Sequence, residues 1–249
     1  MIITNKHNLP EAIYKALSTN DYDPGQSDYS VTTLIKTPRM VQLARRHADK
    51  VTVDAIDRLW SVLGTAVHNI FEANAEHGST VEVRYYLDIQ GKKVGGQVDH
   101  YKDGILSDYK VTKAYKVAMK KTEDWETQLN IYAYMLRKHG KPVHKIEVHP
   151  VLRDWDKMKS IADRNYPDHA FPTVIIPVWP DAKVEALLEE RVRVHKNAES
   201  VDDNNLPLCS PVDTWERPTK YALMKNGNKK ATKLFDDKLE AINFGKENW

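Results

Sequence analysis

Between Asp54 and His77 apolar residues return every three or four positions, at Ile56, Leu59, Trp60, Leu63, Val67, Ile70 and Phe71, and Gly78 follows. That period predicts an amphipathic helix over 54–77 with the glycine as its stop. Over STVEVRYYLDIQGKKVGGQVDHYKDGILSDYKV, starting at Ser79, the period falls to two. Short β-rich runs broken at QGK and KDG predict a meander of three antiparallel strands. The helical period resumes over 122–139 in TEDWETQLNIYAYMLRKH, with Trp125, Leu129, Tyr132, Met135 and Leu136 as its stripe. Thr122 is placed as N-cap, Glu123 and Asp124 suit the first turn, and Gly140 ends the element.

Further on, VHKIEVHPVL (143–152) and TVIIPVW (173–179) read as strands separated by a charged loop or short helix, and 181–200 as an amphipathic helix. NDYDPGQSDY (20–29) is rich in turn formers and predicts a loop after a short amphipathic N-terminal stretch. After NNLPLCSP the pattern changes: KYALMKNGNKKATKLF reads as a strand pair around an Asn-Gly turn, followed by a short helix. Strands bracketing helices give an α/β (α+β) class with a central mixed sheet and helical cover. The expected division is a main domain at 1–204, its core about 30–200, and a small C-terminal appendage at 205–249.

Composition narrows the chemistry more than the fold. The chain has 249 residues, a formal net charge of +2 and one cysteine, Cys209. A single cysteine excludes an intrachain disulfide, a four-cysteine zinc site and a four-cysteine iron–sulfur cluster. No run of 18 apolar residues and no secretory leader pattern is present, so a cytoplasmic protein without a membrane span is expected. Modest net charge does not announce a nucleic-acid binder, which leaves the argument to local patches. These are RRH at 45–47, Lys113, Lys116, Lys120 and Lys121, and KNGNKKATK at 225–233; each also reads as a solvated face.

The second predicted turn joins a strand carrying Asp99 to one carrying Asp108, and a tight hairpin brings both carboxylates to one end of the sheet. Lys110 falls two residues after Asp108, hence on the same strand face. Two carboxylates so close repel unless a cation or the lysine neutralises them. Paired carboxylates suit Mg²⁺, and phosphodiester hydrolysis needs such a cation and a positioned water, which the lysine can orient. Solvated strand acids and salt-bridge partners of nearby lysines remain the alternative, while Asp103 belongs to the KDG turn. On the 54–77 helix, Gly64, His68 and Glu72 are four apart and share a face. The histidine there offers a third ligand, although a helix histidine more often sits at the edge of a core. Gln128 and Tyr132 are likewise i, i+4 on or beside the stripe of the second long helix.

With these residues in place, the sequence resembles the PD-(D/E)XK nuclease superfamily, in its RecB-like exonuclease branch and in a form similar to bacteriophage-encoded members. GTAVHNIFE (64–72), GGQVDHYKDGILSDYK (95–110), QLNIY (128–132) and YSVTTLIKTPR (29–39) carry the resemblance, which covers most of the chain. Val98 stands where the superfamily's name has proline. The resemblance implies a restriction-endonuclease-like core and a metal-dependent deoxyribonuclease, most readily an exonuclease acting on DNA ends. A structure-specific or restriction-like endonuclease, or an inactive DNA-binding module, are the alternatives. It further implies that His68, Asp99, Asp108 and the Tyr109 carbonyl bind Mg²⁺, for which Mn²⁺ would substitute. Lys110 would assist the water, Gln128 would act at the catalytic centre, and Gln128, Tyr132 and Arg39 would contact DNA. Relatives with iron–sulfur staples use cysteines this chain lacks, so no such cluster is expected. A helicase or single-strand-annealing partner fits that setting, and Trp215, Tyr221 and the C-terminal lysines either grip single-stranded DNA or form a cap with Trp215 buried.

Overall fold

A computed structural model describes residues 2–19 and 25–248; the first half of the predicted 20–29 loop, residues 20–24, lies outside them. The chain divides into two compact units, Met1–Pro207 and Leu208–Trp249.

The first unit begins with β1 (Ile2–Thr4) and α1 (Glu11–Ser18), then β2 (Tyr29–Ser30), α2 (Val31–Leu34), α3 (Pro38–Arg46) and β3 (Thr52–Asp54), which pairs in parallel with β1. Asp54 caps a 3-10 turn at Ala55–Arg58, its Oδ1 accepting from the Ile56 N–H, and α4 runs only over Leu59–Ala73. The predicted helix over 54–77 is therefore two elements, and it stops four residues early. Its apolar stripe also stays open: Leu59, Trp60, Leu63 and Ile70 are exposed, and none of the described α4 residues is buried.

The meander forms as β4 (Thr80–Ile89), β5 (Lys92–Lys102) and β6 (Ile105–Thr112), antiparallel in sequence. Each hairpin has a two-residue loop whose residues both take φ > 0, Gln90-Gly91 (52°, 73°) and Asp103-Gly104 (47°, 81°). Loops of that handedness match the right-handed twist of the strands and leave the register no freedom to slip.

After β6 come α5 (Ala114–Ala118), α6 (Glu123–Lys138), β7 (Lys145–Leu152), α7 (Lys157–Ala162), β8 (Val174–Ile176) and α8 (Asp181–Glu199). β7 pairs parallel to β6 and antiparallel to β8, and β2 lies parallel against the start of β5. The result is the expected mixed α/β arrangement, a six-stranded mixed sheet flanked by helices. Thr122 makes no side-chain cap to α6, contrary to the sequence expectation.

The core sits where α6 lies between the sheet and α8. Every residue of α6 from Leu129 to Leu136 is buried, so the helix is enclosed on more than its predicted stripe. Asn130, fully buried, is satisfied on all sides: Nδ2 donates to the Glu126 and Pro177 carbonyls, and Oδ1 accepts from the Trp179 N–H. A buried amide is tolerated only when so paired. Gly96 of β5 makes the close approach of α6 possible, because a Cβ there would stand 2.8 Å from Tyr132 Cε1 and Met135 Sδ.

In the second unit, β9 (Tyr221–Leu223) and β10 (Lys233–Phe235) form the predicted hairpin, with Gly227 at φ 85°, and α9 (Lys238–Asn248) follows. Trp215 is 86% exposed, which overturns the version of this unit in which it is buried.

Candidate metal centre

The β5–β6 ladder ends at the His100↔Ser107 pair, so Asp99 and Asp108 are the first residues past it, facing each other where the strands part. With its ladder partner gone, the Tyr109 N–H donates instead to Asp99 Oδ2 at 3.0 Å. Asp108 is buried, and Lys110 Nζ donates to its Oδ1 at 2.9 Å while lying 2.8 Å from Oδ2.

α4 supplies the histidine. Phe71 packs on the Tyr109 ring, 4.6 Å between centroids, and His68 meets the same ring edge-on at 6.2 Å. Those contacts hold an otherwise exposed helix against β6 and put His68 Nδ1 3.4 Å from Asp99 Oδ2.

The same nitrogen lies 3.5 Å from Glu82 Oε1. Glu82 sits opposite Asp99 between the Val81↔His100 and Val83↔Val98 pairs, at φ 51°, a left-handed conformation that costs a non-glycine residue about 1 kcal/mol or more. Across from it the alternation of buried positions in β5 slips, from Val94, Gly96 and Val98 to Tyr101. Gln97 Nε2 donates to Glu82 Oε2 at 2.6 Å, and Arg84 donates to Gln97 Oε1 at 2.7 Å. Strain of this kind persists only where the surroundings over-determine it, and it concentrates at functional sites.

Glu82 is the site residue that sequence reasoning missed. The signal was present: a two-residue loop at Gln90-Gly91 pairs Ile89 with Lys92, and counting back along both strands sets Glu82 opposite Asp99.

Electrostatics fit this crowding. Burial and then the Asp108 charge push the Asp99 carboxyl from 3.8 up to about 7, against the pull of Lys110, His68 and the Tyr109 N–H. His68 is raised, chiefly by its contact with Glu82, with burial opposing. Burial would lower the Lys110 ammonium, but Asp108 and Asp99 hold it above its ordinary range. Burial lifts the Tyr132 phenol to about 12, with Lys110, Asp108 and Asp99 among the charges it feels.

From α6, Gln128 Nε2 donates to Tyr132 Oη at 2.9 Å, so this predicted pair forms and stands within the field of the carboxylates. Arg39 is engaged differently, donating to the Leu206 carbonyl at 2.8 Å and tying α3 to the segment after α8. Glu72 is exposed, and a Cβ on Gly64 would meet nothing within 4 Å.

One imidazole nitrogen and two carboxylate oxygens, from His68, Glu82 and Asp99, lie within 4.8 Å of one another, while Asp108 remains with Lys110. Nitrogen and carboxylate donors suit a hard or borderline divalent cation, so the residues present fit a metal. Such a cation would offset the repulsion that raises Asp99.

No family model and no curated protein matches the chain. Among solved structures it is similar to SSO0001, with a TM-score of 0.50 at 17% identity over 73% of this chain and 84% of that one. At that identity the likeness speaks for the fold. A looser similarity, TM-score 0.33 at 12% identity over 77% of this chain and 82% of that one, is to a phage-related exonuclease from Haemophilus somnus 129PT. It is too distant to carry an argument about activity. Among the described residues no helix is long and apolar enough to cross a membrane.

Proposed function

We propose that the protein is a divalent-metal-dependent DNA nuclease of the PD-(D/E)XK superfamily, RecB-like, working as an exonuclease on DNA ends. The observation that carries this reading is the pairing of Asp99 with Asp108 at the open end of the β5–β6 ladder, with Lys110 on Asp108 and His68 on Asp99. His68, Glu82, Asp99 and Asp108 would hold Mg²⁺ or Mn²⁺, together with the Tyr109 carbonyl that the family resemblance implies.

A bound divalent cation supplies charge neutralisation at the phosphate and an acidified water. The chain's own groups do the rest. Lys110, held protonated by Asp108, orients the attacking water and favours its deprotonated form. Gln128 and Tyr132, joined to each other beside the carboxylates, position the strand. Glu82, steadied by Gln97, fixes the His68 ring.

Digestion of end-labelled linear and covalently closed circular DNA, with Mg²⁺, Mn²⁺ or EDTA, tests the reading. Metal-dependent loss of linear DNA alone is the expected result. Cutting of circles would replace the exonuclease with an endonuclease of the same chemistry, and inertness toward every substrate with either metal would sink the proposal.

A further inference from the structure

The cutting site gathers acids, yet its proposed substrate is a polyanion, and charge along the chain is unevenly placed. The Leu208–Trp249 unit has eight basic and six acidic residues, so it holds the whole chain's +2 and the Met1–Pro207 unit is neutral. Within the small unit the segregation is sharper still: from Arg217 to Phe235 there are six cations, Arg217, Lys220, Lys225, Lys229, Lys230 and Lys233, and no acid.

Lys233 lies on one strand of a two-stranded ribbon, Lys220 just before the other, and Lys225, Lys229 and Lys230 in the loop that joins them. β9 and β10 pair as Tyr221↔Phe235, Ala222↔Leu234 and Leu223↔Lys233. α9 covers one face: Phe244 packs on Phe235 at 5.4 Å, and Gly245 lies against Leu223. Lys233 is drawn to that side, its Nζ 4.3 Å from the Phe244 ring centre. The other face is bare, with Leu234 59% exposed and Met224 44% exposed, and Lys220 is paired to Asp236 beside it. Beyond the strands the loop turns at Asn226-Gly227, closed by the Asn228 N–H to the Lys225 carbonyl at 3.0 Å, and carries Lys229 and Lys230, both exposed.

We infer that this β9–β10 ribbon and its lysine-bearing tip are a sequence-independent grip on the phosphate backbone of duplex DNA. This deepens the nuclease reading and rests on it for the substrate class. A two-stranded ribbon has the width to enter a major groove about 12 Å across, with the tip lysines on the flanking phosphates. Each phosphate neutralised releases counterions and contributes about 0.9 to the salt slope of binding. Because Lys229 and Lys230 are not among the residues assigned to the metal, the water or the strand at the cutting site, removing their charge should act on affinity and not on the chemical step.

The test uses the full chain and the double variant Lys229→Gln/Lys230→Gln. Anisotropy of a labelled 30-base-pair duplex is followed from 50 to 300 mM salt in EDTA, where nothing is cut. The variant's slope is expected to be shallower by about 1.8, with affinity at 100 mM salt reduced on the order of ten-fold or more. Single-turnover cleavage at saturating DNA should match the wild type, and Lys229→Arg/Lys230→Arg should restore the slope. Matching melting temperatures would exclude misfolding as the cause.

An unchanged slope, or a wild type that does not bind the duplex, overturns the inference. So does a variant that loses binding to phosphatidylserine vesicles while keeping its DNA affinity, which would assign the tip to a membrane surface. Since the readout is equilibrium binding, failure of the cleavage reading leaves this result separately legible.

Discussion

Replacing Asp99 by asparagine should make the metal-free protein more stable and sharply reduce its response to metal. The Asp99 side chain is 11% exposed, and burial together with the facing Asp108 moves its carboxyl from 3.8 to about 7. The folded protein thus holds this proton more tightly than the unfolded chain does. Between about pH 4 and 7 the unfolded state binds fewer protons, stability falls as pH rises, and above 7 the penalty is complete. Three units at about 1.4 kcal/mol each set an upper bound of about 4 kcal/mol. Asparagine keeps the shape and a carbonyl acceptor for the Tyr109 N–H without the charge, so a gain of about 2–4 kcal/mol at pH 7.5 is expected. For a chain of this size that is roughly 5–15 °C in Tm. Thermal melts in EDTA and in MnCl2 make the comparison. The wild type should gain about 3 kcal/mol at a hundred-fold excess of metal over its Kd, and the variant far less. A variant that melts lower than wild type in EDTA, or gains as much from Mn²⁺, would refute the picture of Asp99 as a crowded ligand.

Three further substitutions probe other parts of the account. Glu82→Gln removes a carboxylate from the cluster while keeping its hydrogen-bonding shape, and should weaken Mn²⁺ binding by at least about ten-fold in a calorimetric titration. Gly96→Ala drives a methyl into Tyr132 and Met135; it should cost about 1–3 kcal/mol in urea unfolding and lower DNA cleavage by displacing the Gln128–Tyr132 pair. His195 is fully buried, its Nε2 near the Leu34 and Lys36 carbonyls and its Nδ1 without a hydrogen-bond partner, and burial then Arg191 lower its pKa. A histidine that resists protonation when folded makes stability fall as pH drops through about 6.5. Wild type should therefore lose stability between pH 7.5 and 5.5 that His195→Gln does not lose, measured by denaturant melts at both pH values.

Much of this site could be read in the sequence because two-residue loops leave a hairpin no choice of register. QG and DG each fix a strand pair, and with them the Asp99–Asp108 juxtaposition follows, as does the overlooked Glu82. What local pattern could not show is which apolar faces become covered. The stripe of α4 marks amphipathy, but Leu59 and Trp60 find no core, and α6 is enclosed beyond its stripe because it packs between the sheet and α8, with the buried Asn130 bonded to distant Pro177. The two-residue β2 and the β1–β3 pair escaped notice because parallel pairing joins segments far apart in sequence and leaves no local period. Helix ends failed at Asp54 for a related reason: a residue that can begin a helix also closes a tighter turn.

Single-turnover cleavage of a labelled linear duplex in Mg²⁺ by wild type and Lys110→Ala, at equal DNA occupancy, tests the central claim most directly. If Lys110 serves the water beside a metal held by the aspartates, the rate should fall by roughly a hundred- to a thousand-fold while the DNA dissociation constant changes only a few-fold. Equal rates at equal occupancy, or a loss confined to binding, would contradict the account.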